Sequence, residues 1–168
     1  MRLRGASPLL ALGVLVAPGA RAATRTVGPG KTSARPCAAI AAAQDGDVIE
    51  IDAGTYSGDV CAVARSNLTL RGVGGRAHLD AAGTAYGGKA IWVIQGANTT
   101  VENIEFSGTT VPDMNGAGIR QEGKNLTIRG SYFHDDEDGI LAGDNAASEI
   151  LIEVGGDPRT FKGQILRH

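Results

Sequence analysis

Asn98-Thr99-Thr100-Val101-Glu102-Asn103-Ile104-Glu105-Phe106 and Asn125-Leu126-Thr127-Ile128-Arg129-Gly130-Ser131-Tyr132-Phe133 are two copies of one pattern, offset by 27 residues. Val101 falls on Ile128, Phe106 on Phe133 and Asn98 on Asn125. An earlier copy, Asn67-Leu68-Thr69-Leu70-Arg71-Gly72, precedes them, and Ile150-Leu151-Ile152-Glu153 follows. A repeat of this length marks stacked units, none of which can bury its apolar face alone. Each unit is short, rich in β-formers and punctuated by Gly and Asn. Parallel strands recurring at such distances without long intervening helices imply a coiled solenoid rather than βαβ units.

Composition agrees. Aromatics are 4% of the 168 residues while Gly contributes 25. So few large side chains fill a globule poorly, but a narrow stack of Ile, Val, Leu and Ala well. The chain opens with Arg2 and Arg4, an uncharged apolar stretch from Leu9 to Ala17, and Ala20-Arg21-Ala22. That order reads as a signal peptide over residues 1–23, cut after Ala22 or Ala23, which predicts a secreted or periplasmic protein. The apolar run is too short to span a bilayer, and no later run approaches that length. Without those three arginines, the 16 basic residues become 13 against 18 acidic ones. An acidic mature chain argues against nonspecific nucleic-acid binding, which needs basic surface. Cys37 and Cys61 are the two cysteines. An even count in an exported chain predicts a disulfide, worth roughly 3 kcal/mol through loop closure; free buried thiols are the alternative.

Along the chain, Ser33 to Gln44 reads as a capped helix stopped by Asp45-Gly46-Asp47, and Val48 to Asp52 as the first strand. A small helix delivered there would cover the open end of the stack. Later strands are predicted at Leu68–Leu70, Ala90–Ile94, Val101–Phe106, Gly118–Glu122, Leu126–Arg129, Gly139–Ala142 and Ile150–Glu153. Alternation places Ile91, Ile119 and Ile140 inward, leaving Trp92, Arg120 and Leu141 outward. Phe106 and Phe133 should stack inside. Asn98 and Asn125 should stack at a turn, their amides serving neighbouring backbone groups. Asn67, Asn98 and Asn125 each open a glycosylation sequon, but recurrence in register is explained better by the turn.

The segment Ala-Ala-Ile-Ala-Ala-Ala-Gln-Asp-Gly-Asp-Val-Ile-Glu-Ile-Asp-Ala-Gly-Thr-Tyr (residues 38–56) resembles the N-terminal cap and first rung of right-handed parallel β-helix proteins of the pectin-lyase-like superfamily. Lys-Asn-Leu-Thr-Ile-Arg-Gly-Ser-Tyr-Phe-His-Asp (124–135) and Asp-Gly-Ile-Leu-Ala-Gly (138–143) resemble rungs of its exported bacterial members. The resemblance implies an all-β, right-handed parallel β-helix over residues 24–153, with a short capping helix and about four turns. It is weak for activity, because the superfamily holds lyases, hydrolases, epimerases and non-enzymatic adhesins. Residues 154–168 lack rung periodicity and are read as an irregular tail or aberrant C-terminus. Truncation is preferred to a short divergent cap, and the uncovered last rung would then permit self-association.

Candidate site residues follow from the same text. His134-Asp135-Asp136-Glu137-Asp138 is the densest polar run. Asp135, Asp136 and Asp138 offer hard oxygens that suit Ca²⁺, which in lyases of the superfamily can bridge protein and acidic sugar; a solvated turn capping backbone N–H groups is the alternative. Inverting hydrolysis by paired aspartates fits less well, because the resemblance would demand Gly-His-Gly and Arg-Ile-Lys elements, which are absent. Uronate β-elimination needs a cation to neutralise the carboxylate and a base for the neighbouring proton. Arg120 with Lys124 is assigned the first role, and Tyr132 or His134 the second, although the Arg-x-Pro-x-x-Arg element of pectate lyases is missing. Trp92, read as outward, would stack on sugar beside Arg120. Gly28-Pro29-Gly30-Lys31-Thr32 imitates a phosphate loop, but Arg25 stands where its first glycine belongs. The leading expectation is an exported, uronate lyase-like protein acting on polysaccharide, with little activity in so short a chain. A non-catalytic glycan-binding or adhesion module is the alternative.

Overall fold

The computed structural model describes residues 21–142, 150–153 and 165–167. Most of the expected signal segment and of the tail lies outside them. In order, the elements are β1 (Thr24–Val27), α1 (Pro36–Ala42), β2 (Val48–Ser57), β3 (Cys61–Val63), β4 (Thr69–Asp80), β5 (Ala90–Ile94), β6 (Thr99–Glu102), β7 (Ile104–Ser107), β8 (Ala117–Gln121), β9 (Leu126–Arg129), β10 (Tyr132–His134), β11 (Asp138–Ala142), β12 (Ile150–Glu153) and β13 (Ile165–Arg167).

Every strand ladder is parallel. One sheet runs β1-β2-β4-β6-β9-β12, with β7 and β10 continuing it past a bend, and the other runs β3-β5-β8-β11-β13. The result is a parallel β-solenoid of about five turns rather than four. Both ends account for the difference. Thr24–Val27 pairs with β2, ahead of the strand read as first. Within the tail expected to be irregular, Ile165–Arg167 pairs with β11.

Two corners of the turns carry asparagine. At the first, Asn67, Asn98 and Asn125 take φ values of 59°, 56° and 57°. Asn tolerates this left-handed region better than other residues with a Cβ. The side chains form a ladder, Asn98 Nδ2 donating to Asn67 Oδ1 at 3.0 Å and Asn125 Nδ2 to Asn98 Oδ1 at 2.9 Å. The stack is the expected one, but the amides satisfy each other rather than the backbone. At the second corner, Asn103 (φ 54°) breaks Val101–Phe106 into β6 and β7. Its amide donates to the carbonyls of Gly72 and Gly75. Only glycine fits at 72, where a Cβ would come 2.2 Å from the Asn103 carbonyl oxygen.

Inward columns fill the stack. Ile49, Leu70, Val101 and Ile128 form one; Tyr56, Leu79, Phe106 and Phe133 form the next. Phe106 and Phe133 are stacked at 4.8 Å between centroids, as expected. In the third column Ile119 and Ile140 are joined by Trp92, not Ile91. Ile91 matches Ile119 by residue type, whereas the 27-residue offset that relates Asn98 to Asn125 selects Trp92. Trp92 is fully buried and meets Phe106 edge-on at 5.2 Å.

The helix is shorter than Ser33–Gln44. Pro36 sits in its first turn, and Arg35 flanks it without a side-chain cap. Ala39 and Ile40 are buried, closing the first turn of the stack. Cys37 and Cys61 are bonded, tying α1 to β3. Asp47, read only as a helix stop, accepts from the backbone N–H groups of Ala23 and Gln44, each at 2.9 Å, and from Arg25 Nε at 2.7 Å. The two backbone donors first, then the arginine, outweigh desolvation and hold its pKa at about 2. Among the described residues no helix is long and apolar enough to cross a membrane.

Two outcomes follow. Asp47→Asn should cost about 2 kcal/mol at neutral pH. A depressed carboxylate contributes stability above its unfolded value and loses it as pH falls through the folded one. The difference from wild type should therefore disappear between pH 3.8 and about 2, which thermal melts at stepped pH would record. Asn98→Ala should destabilise by about 1–2 kcal/mol, and Asn98→Gly by less because it keeps the φ without strain, measured by urea unfolding.

Candidate functional site

Past the second corner the strands present two outward columns. Thr55, His78, Glu105 and Tyr132 are ladder partners in one; Ser57, Asp80, Ser107 and His134 are partners in the other. Alternation explains this: Ala77, Leu79, Ile104, Phe106 and Phe133 take the inward positions and are buried, so the polar residues between them face out.

Diagonal bonds knit the columns together. His78 Nε2 lies 2.7 Å from Ser107 Oγ. His134 Nε2 lies 3.0 Å from Glu105 Oε1, and its Nδ1 2.8 Å from Asp135 Oδ2. Along the second column, Ser57 Oγ donates to Asp80 Oδ2 at 3.0 Å. An aromatic row runs across this network. The Arg76 guanidinium sits 5.7 Å from the Tyr132 ring centroid, Tyr132 stacks on His134 at 4.6 Å, and His134 lies 5.9 Å from His78.

Charges are tuned accordingly. Partial burial opposes the charged form of His134, but the hydrogen bonds to Asp135 and Glu105 outweigh it and raise its pKa above the ordinary histidine value. Asp80 is held below the usual carboxylate range, chiefly by the Ala82 N–H, with Ser57 and His78 adding to it against desolvation. Asp136 moves the other way: burial pushes it up to about 6, despite hydrogen bonding to Thr109.

Of the sequence-predicted residues, the structure brings Tyr132 and His134 together here. Arg120 lies on β8, in the other sheet, between Val93 and Leu141 in its column. Lys124 is exposed beside the asparagine ladder, where its carbonyl accepts from Asn98. Neither joins the histidine face, because the chain turns a corner between residues 124 and 132. Trp92 cannot stack on sugar, being enclosed in the core. Asp135, Asp136 and Asp138 do not converge as a calcium site. Asp135 pairs with His134, Asp136 Oδ1 accepts from the Thr109 N–H at 2.9 Å, and Asp138 is buried in β11. Glu137 Oε2 accepts from the N–H groups of Val111 and Gly116 at 3.1 and 2.7 Å. The acidic run caps the backbone of the neighbouring loop.

Arg76, His78, Glu105 and Ser107 escaped the sequence reading. The signal was present: Leu79 stands 27 residues before Phe106, as Phe106 does before Phe133. Extending that offset one copy toward the N-terminus places His78 over Glu105 and Asp80 over Ser107.

No family model matches the chain, and no curated protein matches it. Among solved structures it is similar to a crystal structure of a pectin methylesterase mutant in complex with a hexasaccharide. Identity is 19% over 80% of this chain, with a TM-score of 0.49. The chain spans 50% of the length of that one.

Removing the Trp92 indole should leave a cavity at the centre of the stack. Trp92→Ala is expected to cost about 3–5 kcal/mol in denaturant unfolding, where an outward platform residue would cost almost nothing.

Proposed function

We propose that the protein is an exported polysaccharide-directed β-solenoid whose working surface is the two-column face, and that its chemistry is β-elimination from a uronate polymer. The observation that carries this is the row Arg76, Tyr132 and His134. It sets a permanent cation beside two groups able to exchange protons, all on rigid strands. In such a step the Arg76 guanidinium would balance the uronate carboxylate as charge moves onto it. Tyr132 and His134 would take the proton next to that carboxylate and return one to the departing glycosidic oxygen. The electron pair of the broken C–H bond becomes the new double bond, and the C–O bond to the leaving sugar breaks. Arg76 thus takes the role expected of Arg120 and Lys124. The expectation of little activity rested on the shortness of the chain, whereas this row lies entirely on described strands.

A second reading is favoured by a hollow near this face. A cavity of about 400 Å³ lies at its β2 end, lined by Pro29, Arg35, Thr55, Tyr56 and Ser57, away from the histidines. That volume is within the range of small-ligand sites. A sugar seated there would be bound without chemistry, as in an adhesion module.

Incubation with pectate or alginate, followed by ultraviolet absorbance of unsaturated uronate, distinguishes the two. The elimination reading expects product, reduced at least ~100-fold in both Arg76→Gln and Tyr132→Phe. Glycan binding without product, lost on Arg35→Ala, would replace it with the binding module. New reducing ends without the absorbance would mean hydrolysis.

A further inference from the structure

We infer that His78, Glu105 and His134 form a binding site for a first-row transition-metal dication of the Zn²⁺ type. Each ligand comes from a different turn of the solenoid, and the turns are consecutive: His78 on β4, Glu105 on β7, His134 on β10. One donor atom from each lies within 4.8 Å of the other two. Glu105 Oε1 is 3.0 Å from His134 Nε2 and 3.8 Å from His78 Nε2. Ligands about 2.0–2.1 Å from a tetrahedral zinc stand about 3.3 Å apart, so the two measured separations bracket the required one. Small side-chain rotations would suffice, and the strand backbone would not move.

Three further features fit a metal better than an ordinary surface network. The outer nitrogen of His134 is already held by Asp135, the carboxylate–histidine arrangement that fixes a metal-binding imidazole and directs its other nitrogen at the ion. All three ligands are half-buried on strands, which position a site more rigidly than loops do. The set supplies three protein ligands and leaves a coordination position open on the solvent side, next to Ser107 and Tyr132. Two imidazoles and one carboxylate suit Zn²⁺, Co²⁺, Ni²⁺ or Fe²⁺, whereas Ca²⁺ and Mg²⁺ prefer an all-oxygen set. The acidic run, expected to hold Ca²⁺, is therefore bypassed in favour of its neighbour His134. Binding would displace the hydrogen bonds that His134 makes to Glu105 and that His78 makes to Ser107.

This inference stands apart from the polysaccharide reading, because it needs no substrate. If both hold, the ion would join Arg76 in neutralising a sugar carboxylate and leave Tyr132 as the proton carrier.

The test uses the full chain without a histidine tag, stripped with chelator. Calorimetric titration should show about one Zn²⁺ per chain and no Ca²⁺ uptake, and Co²⁺ should give the visible absorption of a tetrahedral or five-coordinate site. His78→Gln, Glu105→Gln and His134→Gln should each weaken Zn²⁺ binding at least ~10-fold, and Asp135→Asn less than any of them. Glu122→Gln, just past β8 and remote from the site, should leave it unchanged. All the substituted residues face outward, and circular dichroism of each variant would confirm the β-solenoid. Absence of Zn²⁺ binding by the folded wild-type chain overturns the inference. So does Zn²⁺ binding that survives in the folded His78→Gln/His134→Gln double variant. Neither result bears on uronate elimination, which is read separately by absorbance.

Discussion

The left-handed backbone at Asn67, Asn98 and Asn125 decides where every other side chain points. A β-strand assigns faces by counting in twos, so a single residue gained or lost before the corner would turn the inward columns out. The corner must therefore recur in register, and its geometry excludes most side chains. Asparagine meets both demands, tolerating the positive φ and offering a donor and an acceptor to the turns above and below. Beyond it, Leu70, Val101 and Ile128 stack without choice, and past the second corner so do Leu79, Phe106 and Phe133.

Charge reinforces the same register. Glu50, Arg71, Glu102 and Arg129 alternate in sign up one outward column. Glu50 pairs with Arg71 and Glu102 with Arg129. Exposed pairs of this kind add little stability, each about 0–1 kcal/mol. Their effect is selective: a slip by one turn would set like charges side by side, which an apolar column alone would tolerate. The histidine face adjoins this column around the second corner but follows another logic. Its polar groups bond diagonally, between columns as well as along them, and that convergence separates a candidate site from a merely solvated face.

The solenoid was legible because its text repeats, and the two phenylalanines and the asparagines carried the period without ambiguity. The errors arose where residue type competed with period. Ile91 resembles Ile119 more than Trp92 does, yet spacing, not likeness, sets the partner. The candidate site was half legible. Tyr132 and His134 lie inside a clear copy of the repeat, whereas His78 lies in β4, where Gly72 to Gly75 loosen the pattern and shift the register against β2. The acidic run misled for a different reason: four adjacent carboxylates look convergent in sequence, but strand and turn geometry sends each to its own partner. Arg120 and Lys124 looked close to His134 along the chain and are separated by the corner between them.

The disulfide between α1 and β3 gives the molecule a direction. A stack whose turns touch only their neighbours comes apart by peeling, one turn at a time from an end. At the N-terminal end the first peel is blocked by a covalent bond and by the buried carboxylate of Asp47. Among the described turns, amide protons should then exchange most slowly near β2 and faster with distance from it. In a reducing compartment that polarity would weaken, and the order in which the turns are exposed to proteases would change with it.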